Sequence, residues 1–125
     1  GLGFAFAKKI KKEQGRVFVL MSDGEMDCGT TWESALIAAH NKLDNLLVAV
    51  DANGLQAMGR TKEILDTKPL KDKWEAFGWE AREISGHNFE EIERAFTNPP
   101  SQEGKPIIVI ARTIKGKGVS FMENN

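Results

Sequence analysis

The chain reads as an α/β domain built on an open, mostly parallel sheet with helices on both faces. Two observations predict this. Apolar, largely β-branched runs at 17–21, 46–50 and 107–111 do not alternate with polar residues, the pattern of strands buried on both faces of a parallel sheet. Stretches of helical spacing separate them, so the order is α-β-α-β-loop-α-β-α-β, which calls for right-handed crossovers.

Residues 1–12 read as a helix already under way at Gly1, followed by the first strand at 17–21. The next helix, 30–40, carries Trp32, Ala35, Leu36 and Ala39 at helical spacing, and Thr30 with Glu33 fits a capping box at its start. After the strand at 46–50 comes a long loop, 52–68; long ordered loops at strand ends are often functional. A helix at 69–77 has Pro69 near its first turn and Gly78 as its stop. A weaker strand at 79–84 leads to a helix at 88–96, with Asn88 as cap and Glu91 three residues on. Residues 99–104 form a loop before the last strand at 107–111. With no initiating Met and no element after the Gly116–Gly118 turn, residues 1–125 read as a single partial domain from a longer chain.

Composition narrows the function classes. Lys plus Arg number 17 and Asp plus Glu 18, so no excess of charge points to nucleic acid or an anionic membrane as partner. The single cysteine, Cys28, excludes an intrachain disulfide and a zinc site built on several cysteines. The apolar runs fall far short of the ~20 residues that span a bilayer, and no signal peptide is visible. A cytoplasmic protein is the expectation.

In open α/β sheets ligands bind outside the carboxyl ends of the strands. Residues 22–25 (Ser-Asp-Gly-Glu) and 51–55 (Asp-Ala-Asn-Gly-Leu) fall there. The Asp23 carboxylate suits a hard cation, and Gly24 lets the backbone approach an anion. Parallel neighbours would bring Asp23 and Asn53 together. With a main-chain carbonyl from the following loop and two phosphate oxygens, they would make an oxygen shell for Mg²⁺ or Ca²⁺. Asp-Gly at a strand end also makes a plain turn, and Glu25 and Asp27 fit either a solvated turn or support for a metal. His40 suits the carboxyl end of a helix, and His87 a turn before one. Residues 115–118 (Lys-Gly-Lys-Gly) lack the Ser or Thr that a phosphate loop needs after its Lys.

Taken together, residues 22–25, 32–36 (Trp-Glu-Ser-Ala-Leu), 40–46 (His-Asn-Lys-Leu-Asp-Asn-Leu) and 51–56 resemble transketolase, in particular its N-terminal half and the form encoded as two subunits. The resemblance continues through 73–79, 85–88 and 113–119 and covers essentially the whole chain. The Asp-Gly…Asn pair marks thiamine-diphosphate enzymes generally. Residues 42–46 point to transketolase rather than deoxyxylulose-phosphate synthase or a 2-oxoacid dehydrogenase.

The resemblance implies a thiamine-diphosphate-binding fold and transfer of a two-carbon ketol unit from a ketose to an aldose. It implies Asp23 and Asn53 as side-chain ligands of the divalent metal, Leu55 as a main-chain ligand, and Gly24 against the diphosphate. The family often has Gly where this chain has Ser22. The sugar-binding histidines and the pyrimidine-binding domain would lie outside these residues, on the same chain or a second subunit. Sugar phosphates and a homodimer or higher assembly follow as partners. Cys28 stands where the family usually carries a Glu assigned to communication across the subunit interface. The other reading is a structural or interaction module that binds no cofactor.

Overall fold

The structure, a computed structural model, describes residues 1–124; Asn125 lies outside them. Helix α1 (Leu2–Lys11) leads into strand β1 (Val17–Ser22), a 3-10 turn (Asp23–Asp27), helix α2 (Gly29–His40) and strand β2 (Leu46–Ala52). A small hairpin, β3 (Leu55–Gln56) and β4 (Gly59–Arg60), and a helical turn α3 (Thr61–Ile64) follow. Helix α4 (Leu70–Ala76), strand β5 (Glu80–Ser85), helix α5 (Phe89–Thr97) and strand β6 (Ile107–Arg112) complete the described order.

The main sheet runs β1-β2-β6-β5 and every pairing is parallel, with Met21 beside Val50, and Val50 beside Ile110. The apolar runs explain the centre: Leu47, Val50, Ile107, Ile108 and Val109 are wholly buried. Alternate residues serve opposite faces. Val48, Val50, Ile108 and Ile110 pack with Ala35, Ala38, Trp74 and Trp79 under α2 and α4, while Leu47, Ala49, Ile107 and Val109 pack on Ala95 of α5.

Strand β1 departs from the expectation of burial on both faces. Val17, Val19 and Met21 pack on the core, but Phe18 and Leu20 are 54% and 78% exposed. Among the described residues β1 is an edge strand, and on that face α5 reaches only as far as Phe18, whose ring stacks on Phe96 at 6.1 Å.

The expected capping box at Thr30 is also corrected. Helix α2 begins at Gly29 with Cys28 at its cap position and no side-chain cap bond. Thr31 is engaged elsewhere, its hydroxyl donating to the Glu25 carbonyl at 2.8 Å, and Trp32 Nε1 donates to the Met26 carbonyl at 2.9 Å. The capping box belongs instead to Ser22 and Glu25, at the start of the 3-10 turn. By contrast, the Asn88 side chain accepts from the N–H groups of Glu90 and Glu91, as expected of a cap. Pro69 stands at the N-cap of α4, and Gly78 takes φ +90° just past its end.

Residues 42–46 hold the end of the sheet remote from the site. Leu43 is wholly buried, Asp44 pairs with Lys9 at 3.1 Å and accepts from the Gly104 N–H, and Asn45 Nδ2 donates to the Ala5 carbonyl. At the far edge Arg82 Nη1 donates to the Ala95 and Asn98 carbonyls and Nη2 to that of Pro99, and Nη2 pairs with Glu80 at 2.6 Å. Burial disfavours the charged form of Glu80, but bonds from Ser101 and Arg82 outweigh it and hold its carboxyl below the ordinary carboxylate value. No helix among the described residues is long and apolar enough to cross a membrane.

Candidate functional site

The carboxyl ends of β1 and β2 come together because the two strands are parallel neighbours, with Ser22 beside Asp51. Asp23 begins the 3-10 turn directly after β1, and Asn53 follows β2. Their link is Gly54, whose N–H donates to Asp23 Oδ2 at 2.7 Å. Asn53 Oδ1 accepts from the Leu55 N–H at 2.9 Å, and its Nδ2 donates to Asp51 Oδ2 at 3.2 Å. Asp51 Oδ1 in turn accepts from the Thr113 hydroxyl. All the residues predicted for the site, Asp23, Gly24, Asn53 and Leu55, thus lie at one edge of the sheet.

Gly54 is the pivot of this loop. Its φ of +77° is one that residues with a side chain rarely adopt. Its N–H is held by Asp23, and its carbonyl accepts from the Thr61 N–H at 3.0 Å. The expected long loop is therefore not structureless: β3, β4 and α3 fold it back so that Thr61, only 8% exposed, pins it.

Asp23 is 5% exposed, and its Oδ1 has no hydrogen-bond partner among the described residues. Burial pushes its carboxyl above the ordinary value; the Gly54 N–H opposes this, and the Asp51 charge adds to it. A buried carboxylate oxygen with nothing to bond is costly unless a cation or donor meets it. Among the described residues no three His, Cys, Asp or Glu side chains converge on one point. A cation at Asp23 therefore has to draw on amide, main-chain and ligand oxygens, the donor set of a hard ion.

Sequence reasoning missed the surroundings. A cavity of about 360 Å³ opens beside Asp23 and Gly54, lined also by Thr61, Lys68, Lys71 and Arg112. Gln56 Nε2 donates to Asp27 Oδ2 at 2.9 Å. These residues are dispersed along the chain, and no local pattern marks them as neighbours. Of the histidines, His40 is exposed as the last residue of α2, and His87 Nε2 accepts from the Ile114 N–H at 2.8 Å. Glu25 is taken up by the capping box, and Cys28 is exposed.

An open parallel α/β sheet with an Asp-Gly turn after one strand, an Asn-Gly loop after its neighbour and an orphaned carboxylate oxygen between them defines a class. It is that of open parallel α/β domains with a buried acidic group at the carboxyl ends of adjacent strands. Comparison with known proteins narrows the class. Residues 6–125 match the family model described as transketolase, thiamine diphosphate binding domain, and the chain belongs to that family. It is 42% identical over 123 residues to an apulose-4-phosphate transketolase subunit from Phocaeicola vulgatus, covering 98% of this chain and 44% of that protein. It is 41% identical over 122 residues to the 6-deoxy-6-sulfo-D-fructose transketolase subunit SqwG of Clostridium sp., with the same 98% and 44% coverage. Among solved structures it matches the transketolase of Campylobacter jejuni with a TM-score of 0.91 at 29% identity, over 99% of this chain and 20% of that one. The chain thus spans less than half the length of the subunits it matches.

Proposed function

We propose that residues 1–125 form a single, partial thiamine-diphosphate-binding domain of a transketolase-type enzyme, holding the diphosphate and its divalent cation. The observation that carries this reading is Asp23 Oδ1, buried and without a partner among the described residues at the meeting of two parallel strand ends. Asp23, the Asn53 amide oxygen and the Leu55 carbonyl would be the protein ligands of Mg²⁺ or Ca²⁺, which would tie the diphosphate to this strand edge. Gly24 lies against the diphosphate. When bound, thiamine diphosphate supplies the nucleophilic carbon that moves a two-carbon ketol unit from a ketose to an aldose. The chain's own residues bind and orient. Asp23 supplies the one charged protein ligand, the Gly54 N–H fixes one of its oxygens, and Asp51 fixes the Asn53 amide.

Two relatives of nearly equal identity bear the names of different sugars. That supports a division in which these residues hold the diphosphate while other segments choose the sugar. Both relatives are also named as subunits. On this reading the site is completed by a further subunit or domain that binds the aminopyrimidine, in a homodimer or larger assembly.

Two outcomes are expected. Thiamine diphosphate and Mg²⁺ together raise the melting temperature, and neither does so alone. Saturation at ~100 times the dissociation constant contributes about 2.7 kcal/mol of stability. A protein unaffected by the pair is the result expected of a purely structural module. Second, the 125-residue chain by itself transfers no ketol unit between any ketose and aldose, because the groups that hold the sugar and activate the aminopyrimidine belong to other segments. Measured transfer by the isolated chain contradicts this.

A further inference from the structure

The hairpin that carries Leu55 is too small to hold its own shape. It has two residue pairs, Leu55 with Arg60 and Gln56 with Gly59, and isolated hairpins of any length are marginal in water. Its position depends on anchors to the rest of the chain. One is the Gly54 N–H on Asp23. Another is the Gln56 side chain, which reaches the 3-10 turn and donates from Nε2 to Asp27 Oδ2 at 2.9 Å. Leu55 lies between the two anchored residues.

Gln56 passes over Gly24 on the way. A Cβ placed on Gly24 would lie 3.3 Å from Gln56 Cγ and 3.4 Å from Cδ. That is tighter than about nine in ten real contacts of this kind, so a side chain at 24 would require Gln56 to give by a few tenths of an ångström. The glycine is thus matched to a protein side chain as well as to a ligand. Asp27 has no other role in sight: its Oδ1 is buried without a partner among the described residues, and its Oδ2 is given to Gln56.

We propose that Gln56 is a positioning residue of the diphosphate site, clasping the hairpin to Asp27 across Gly24 and so holding the Leu55 carbonyl in place for the cation. This rests on the reading that the site takes thiamine diphosphate with a divalent cation. In this assignment Gln56 is not a ligand of the cation; it acts by fixing the loop before ligand arrives, which lowers the ordering cost of binding.

The test has an arm without ligand and an arm with it. In the ligand-free protein, Gln56→Ala and Asp27→Ala each speed amide hydrogen exchange across residues 54–59 by about tenfold, the scale of one hydrogen bond to a charged group. Combining the two substitutions adds nothing further, because each breaks the same bond. Asp27→Asn keeps an acceptor oxygen and leaves exchange near the parent's. In calorimetry with Mg²⁺ and thiamine diphosphate the same variants weaken binding in the same order, about tenfold for either alanine. Gly24→Ala weakens binding less in a Gln56→Ala background than in the parent, whereas a glycine needed only for the ligand costs the same in both. Unchanged exchange in Gln56→Ala, or additive effects of the two alanines, overturns the clasp. A parent protein that binds no thiamine diphosphate overturns the functional reading instead, and the exchange measurements still decide the clasp.

Discussion

Replacing Asp23 by alanine abolishes metal-dependent binding of thiamine diphosphate. A loss of at least about 100-fold is expected, since even the outer partners of metal ligands are typically worth 10–100-fold. The fold survives. The lost carboxylate leaves the Gly54 N–H without its acceptor, at a cost of about 1 kcal/mol. Asp23→Asn separates affinity from stability. The amide keeps an acceptor for Gly54 but removes a charge that folding buries. Because burial raises the folded pKa of Asp23 above its ordinary value, the native state holds more protons than the unfolded one in that window. The ion-free protein therefore loses stability as pH rises through the raised pKa, and keeps it below the ordinary carboxylate range near ~4. Asp23→Asn removes this slope. Above the raised pKa it melts higher than the ion-free parent. It binds cofactor no better than Asp23→Ala. A variant more stable and yet unable to bind is the signature of a residue kept for function. Circular dichroism melts across pH with and without Mg²⁺ check it.

The second large effect is in the core on the α2–α4 face of the sheet. Trp79 is 2% exposed, its ring meets Trp74 edge-on at 4.8 Å, and its Nε1 donates to the Ala35 carbonyl at 2.9 Å. Trp79→Ala is expected to cost about 3–5 kcal/mol, much of the 5–15 kcal/mol that holds an ordinary domain together. Trp74 is equally buried and packs at a tilt against Trp32 at 5.3 Å, but its Nε1 is buried with no partner among the described residues. The two phenylalanine variants therefore separate. Trp79→Phe loses a buried hydrogen bond as well as volume, and Trp74→Phe loses volume while removing an unsatisfied donor. Denaturant melts should rank Trp79→Phe as the less stable. The opposite order contradicts the hydrogen-bond assignment.

The parallel sheet was legible because its central strands are apolar on both faces, so their runs carry no alternation to misread. The edges were not. Val17 to Met21 is as apolar as Leu46 to Val50, yet Phe18 and Leu20 lie exposed, because burial is a property of neighbours rather than of composition. The capping box was misplaced for a related reason. Both Ser22…Glu25 and Thr30…Glu33 have the spacing, and the bond from the Ser22 N–H to Glu25 Oε2, with α2 beginning already at Gly29, shows which one is used. Residues 42–46, the stretch most telling for the family, prove to be a packing and hydrogen-bonding hub away from the site. Asp23, Gly24, Asn53 and Leu55 could be placed together because strand ends in a parallel sheet share an edge. The two-residue strands β3 and β4 have no periodicity to detect, so neither the hairpin nor the Gln56 contact it carries could be read in advance.

The most direct measurement is titration of the protein with thiamine diphosphate by calorimetry, with and without Mg²⁺, in the parent and in Asp23→Ala. Saturable binding is predicted only when the cation is present, and none is predicted in the variant. Binding of equal strength without the cation, or undiminished by Asp23→Ala, would contradict the assignment of this strand edge as the diphosphate and metal site.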